Sequence, residues 1–142
     1  MKKILGLLLV SLIMTACNTT KFSTGGEKEK KFVDDFLNMM DKDHGPDYTG
    51  LMACISPAYL KENNLNPEKY KVDNYSVWGH SIESYTSRGT VVTRIWGENH
   101  SWEHELTFQL RKEGGKLYLV PSEHDQNYLS PWSARRTYLK AD

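Results

Sequence analysis

The chain has 142 residues, enough for one domain around a single core and too few for two. Its 18 basic and 18 acidic side chains balance, and the basic ones are scattered, which leaves no electrostatic case for a nucleic-acid binder. A mean hydropathy of −0.60, with four tryptophans and eight tyrosines, excludes a disordered chain and describes an aromatic-rich globular domain.

The first residues read as an address. Met1-Lys2-Lys3 is a short positive start, and Ile4 to Met14 is apolar apart from Gly6 and Ser11. That stretch is too short to cross a bilayer, which takes about 20 residues. Small residues Thr15 and Ala16 then precede Cys17, so residues 1–16 have the layout of an export signal. Met14-Thr15-Ala16-Cys17 resembles the lipobox of bacterial lipoproteins. The resemblance implies cleavage before Cys17, a diacylglyceryl thioether on its sulfur and acylation of the new amino terminus. One acyl chain holds a protein only marginally, whereas two or three hold it practically permanently. Residues 18–26, NTTKFSTGG, are polar and would tether the domain about 15–18 Å from its anchor. Asn18, rather than aspartate, after the cysteine implies the outer membrane. The expected setting is therefore the bacterial cell envelope, with the membrane as a partner through the lipid on Cys17.

Residues 27–43 place Phe32, Val33, Phe36, Leu37 and Met40 at helical spacing. One amphipathic helix is expected there, stopped by Gly45-Pro46, with Asp34, Asp35, Asp41 and Asp43 on its wet face as solubility residues. Pro46-Asp47 can open a short helix to about Ile55. Ser56-Pro57 offers a capping hydroxyl and a first-turn proline for a second, and Asn66-Pro67-Glu68 starts one further turn after the break at Asn63-Asn64. Cys54 lies in the apolar run LMACI with no histidine near it in sequence, and reads as a buried structural cysteine.

From Lys71 the pattern turns to strand, with a bulge or bend expected at Gly79. Thr86-Ser87-Arg88-Gly89 turns the chain into the run 90–96. A second turn at 97–101 leads to Trp102–Arg111, where apolar and polar side chains alternate. Glu113-Gly114-Gly115 then returns the chain to the run 116–120. The expected class is α+β: N-terminal helices packed on a curved antiparallel meander of about four strands. Residues 125–142 form a polar tail that extends the sheet, packs across it or stays free.

Two stretches, Ser56-Pro57 with Tyr59 and LTFQLRKEGGKLYLV over 106–120, are similar to the nuclear-transport-factor-like superfamily, a cystatin-like α+β cone. The resemblance covers residues 27–124, although Leu117-Tyr118 stands where that family usually has tryptophan. It implies acid–base or binding residues inside the cone. With residues 112 and 116 facing each other, His104 would lie opposite His124. Counting through the 97–101 turn puts Trp96 against Trp102 and Arg94 against His104. Arg94, Trp96, Trp102, His104, Tyr118 and His124 would then line an anion or aromatic-ligand pocket. A register shifted by one residue would disperse them.

The five histidines, 44, 80, 100, 104 and 124, lack paired-cysteine or HExxH spacing, so neither a metal nor a cofactor is expected. No GxSxG, glycine-rich phosphate loop or triad pattern is present. The residues favour a non-catalytic lipoprotein domain binding an envelope protein, glycan or small ligand, with Tyr128 and Trp132 as exposed contact aromatics. The alternative is a small dehydratase or isomerase using His104 as base.

Overall fold

A computed structural model describes residues 26–40, 45–73 and 76–139, with side chains as far as 133. The expected signal segment, the lipidation at Cys17 and its tether up to residue 25 lie outside the described residues, as do Asp41, Asp43 and His44.

The class is α+β. Helix α1 (Glu27–Asn38) buries Val33, Phe36 and Leu37 in the stripe read from the sequence. It ends earlier than its apolar pattern suggests. Met39 and Met40 form a turn, and the Met39 carbonyl accepts from Asp47 N–H at 3.0 Å. Helices α2 (Tyr48–Ala53) and α3 (Pro57–Glu62) follow, capped as their sequences specify. Asp47 accepts from Gly50 N–H at 2.9 Å, and Ser56 Oγ accepts from Tyr59 N–H at 3.0 Å. A short 3-10 turn at Pro67–Lys69 is capped in the same way by Asn66.

The strands are β1 (Lys71–Val72), β2 (Gly79–Thr86), β3 (Thr90–Trp96), β4 (Trp102–Glu113), β5 (Lys116–Val120), β6 (Glu123–His124), β7 (Tyr128–Ser130) and β8 (Ser133–Leu139). An antiparallel meander β2–β3–β4–β5 forms the main sheet, with β8 as a fifth strand. β4 is long enough to carry two partners on one edge: β5 along residues 109–113 and β8 along 102–107. A second, small sheet runs β1–β7–β6. The tail thus extends the main sheet. The irregularity of β2 falls between Ile82 and Ser84, not at Gly79, which pairs with Trp96.

Leu106, Phe108 and Leu110 of β4, with Val91 and Ile95 of β3, face α1 and form the core. Phe36, Phe108 and Trp132 meet edge to face, with ring centroids 5.9 and 6.0 Å apart. Trp132, expected at the surface, is buried; Tyr128 is exposed. The link between α2 and α3 closes the free edge of β5. Leu119 N–H donates to the Cys54 carbonyl at 2.7 Å, and Ser56 N–H to the Leu119 carbonyl at 2.8 Å.

Candidate functional site

Both turns of the meander differ by one residue from the count used above, which separates Arg94 and Trp96 from His104, and β5 ends at Val120, which takes His124 out of the main sheet. The second hairpin has a two-residue turn in which Gly114 and Gly115 both take positive φ (55° and 83°), so Glu113 pairs with Lys116 and Lys112 with Leu117. At the first, Gly97 N–H donates to the Trp102 carbonyl at 3.1 Å, with Asn99 and His100 left-handed between them. Ile95 therefore lies opposite His104, Arg94 opposite Glu105 and Trp96 opposite Glu103. Directly opposed residues of an antiparallel pair share a face, so Arg94 and Trp96 are on the other face of the sheet from His104. Tyr118 pairs with Arg111 at the far end of β4. His124 is exposed on β6, its Nδ1 bonded to Tyr59 Oη at 2.9 Å, and Thr137 stands opposite His104 instead.

Of the six expected residues, Trp96, Trp102, His104 and Arg94 do share one end of the sheet. There β2 begins, β3 ends and β4 begins, and Trp78 N–H donates to the Trp96 carbonyl at 2.9 Å. Trp96 stacks on His100, the centroids 5.0 Å apart and the planes 16° from parallel. Trp102 and His104 are also 5.0 Å apart, with rings tilted by 31°. Partial burial holds the His104 imidazole below its ordinary pKa, so it is neutral at pH 7.

Two glycines make room for the indoles. A Cβ at Gly79 would lie 2.5 Å from Trp96 Nε1, and one at Gly97 would overlap the Trp102 ring. Between this end of the sheet and the end of α1 lies a cavity of about 390 Å³, walled by Trp78, Trp96, His80 and Asn38 and by the buried Leu37 and Val77. Trp78 is 46% exposed. Asp34 is not simply a solubility residue, since its Oδ1 lies 2.7 Å from His80 Nε2 and its Oδ2 accepts from Asn38 Nδ2 at 3.5 Å. These contacts fix which way the imidazole and the amide face. Also at this end, Glu103 bonds to His100 at 2.8 Å and lies 3.8 Å from Arg94.

Such a site offers flat apolar rings beside paired polar groups. It suits holding an amphipathic molecule and presents no nucleophile. No group of three or more His, Cys, Asp or Glu side chains placed to hold a metal ion occurs among the described residues. Cys54 is half-buried, and its burial, with Asp35 and Asp47 nearby, pushes the thiol up to about 11. It behaves as a structural cysteine. Sequence reasoning missed Trp78, His80, Asp34 and Asn38. The available signal was the i, i+4 spacing of Asp34 and Asn38, which puts both on one side of α1; nothing in it pointed to His80. No family model, curated protein or solved structure matches the chain, so the site is read from its own residues.

Proposed function

We propose that this chain is a membrane-anchored bacterial envelope lipoprotein whose folded part is a binding module, engaging its ligand at the tryptophan–histidine end of the sheet. The lipobox-like Met14-Thr15-Ala16-Cys17 supports the anchor. The observation that carries the binding role is Trp78, a large aromatic left 46% exposed at the mouth of a cavity walled by a second indole. Three N-terminal helices ahead of an antiparallel meander support a place among the nuclear-transport-factor-like domains.

Two measurements test this. Cells fed a clickable fatty acid should label the wild-type chain and not Cys17→Ser; an unlabelled wild type removes the anchor. The full chain should capture a component from native envelope, and Trp78→Ala should lose it; capture indifferent to Trp78 moves the binding surface elsewhere. The lowered pKa of His104 favours a second reading, a small dehydratase or isomerase with His104 as base. His104 does not line the cavity beside Trp78, so His104→Gln should leave capture intact.

A further inference from the structure

We infer that the ligand of this site is a neutral saccharide, one sugar ring seated on the indole of Trp78 against Trp96. The inference rests on the binding role proposed above and names its ligand class. A pyranose has an apolar face of C–H groups and a rim of hydroxyls that both donate and accept. The cavity has the matching division. Trp78 and Trp96 supply flat apolar surface, while His80 and Asn38, both in the wall, supply hydrogen-bonding groups. Those groups are held in place beforehand: Asp34 bonds His80 at 2.7 Å and Asn38 at 3.5 Å. Trp96 is also fixed, by the His100 ring behind it and by the missing side chain at Gly79. Orienting the partners before the ligand arrives lowers the ordering cost of binding.

Charge decides against other ligands of this shape. An anion would approach Asp34 with no unpaired cation beside it in the wall. A quaternary ammonium would want a carboxylate in the wall or an aromatic cage, but among the described residues no carboxylate lines the cavity and only two indoles wall it. At about 390 Å³ the space falls within the range of small-molecule pockets, roughly 300–1,000 Å³.

The test uses the full lipidated chain in a polyoxyethylene-ether detergent, which carries neither sugar nor quaternary ammonium. Neutral oligosaccharides of glucose, mannose, galactose and N-acetylglucosamine, three to six units long, are titrated while tryptophan emission and heat are followed. At least one should bind and shift the emission. Trp78→Ala should weaken it at least about tenfold, Trp78→Phe less, and Asp34→Asn severalfold by freeing His80 and Asn38. Trp78→Ala is checked for folding by its thermal transition, which should stay near wild type because the ring is exposed. If no oligosaccharide binds, or Trp78→Ala binds equally well, the inference is overturned. Binding of choline chloride in place of sugars overturns it as well, in favour of a cation site. Trp78-dependent capture from envelope without sugar binding would sink the saccharide and leave the binding role standing; loss of both sinks both.

Discussion

A methyl group at position 79 has nowhere to go, because the Trp96 indole lies against the backbone there. Gly79→Ala should therefore displace that ring and cost about 1–3 kcal/mol, as overpacking does. Urea unfolding followed by tryptophan emission would read both the loss and the moved indole. His104 acts through its partial burial. Burial lowers its pKa in the folded chain, so below about 6.5 the unfolded state takes up the proton first. Stability should fall as pH drops from about 6.5 through the lowered value, and rise again as pH is restored. The effect is modest because the ring is only partly buried. His104→Gln should flatten that part of the melting-temperature profile between pH 7 and 5; an unchanged slope would assign it to other groups. Cys54 follows the same desolvation logic. With its thiol at about 11, it should alkylate far more slowly at pH 7.5 than a free cysteine, and at an ordinary rate after unfolding.

Helix α3 has six residues, too few to persist alone in water. Glu113, at the end of β4, holds it. Its carboxylate accepts from the Ser56 hydroxyl and from Ala58 N–H at 3.2 Å, while Ser56 Oγ itself accepts from Tyr59 N–H. A strand end thus caps a helix 55 residues earlier in the chain. Ser56 is fully buried, so loss of either partner strands polar groups. Ser56→Ala and Glu113→Ala should each cost about 1–2 kcal/mol. The double variant should fall short of additivity by at least about 0.5 kcal/mol, since both act on one network. By contrast, the Arg111–Glu62 pair, 3.1 Å apart but exposed, should contribute less than about 1 kcal/mol.

The last residues complete the whole molecule. Trp132 closes the aromatic stack begun by Phe36 and Phe108, and Leu129 is fully buried between β1 and β6. Trp132→Ala should cost about 3–5 kcal/mol. A chain cut after His124 loses β7, β8 and Trp132 together and should lack a cooperative thermal transition. If it melts cooperatively near the wild-type temperature, the tail is dispensable and residues 27–124 are the folding unit.

Local chemistry was legible in the residues themselves. The α1 stripe, the caps at Asp47, Ser56 and Asn66, and the glycine turn after Glu113 are patterns of neighbours a few positions apart, which the residues display locally. The α+β class followed from the order of those elements. Register did not, because it depends on how many residues each turn consumes. Counting one residue too many at 97–101 and at 113–115 placed Arg94 opposite His104 and His124 opposite His104. The observed first turn puts Glu105 opposite Arg94, while β5 ends before reaching His104 and β8 puts Thr137 there instead. The pairing of Asp34 with His80 was equally out of reach, since it joins a helix to a strand 46 positions away. So was the burial of Trp132, which a polar tail does not announce. Sequence alone determined the helices' caps and the four strands of the meander, which are short-range; the tertiary structure decided the faces, the strands of the tail and the candidate site, because each depends on partners distant in the chain.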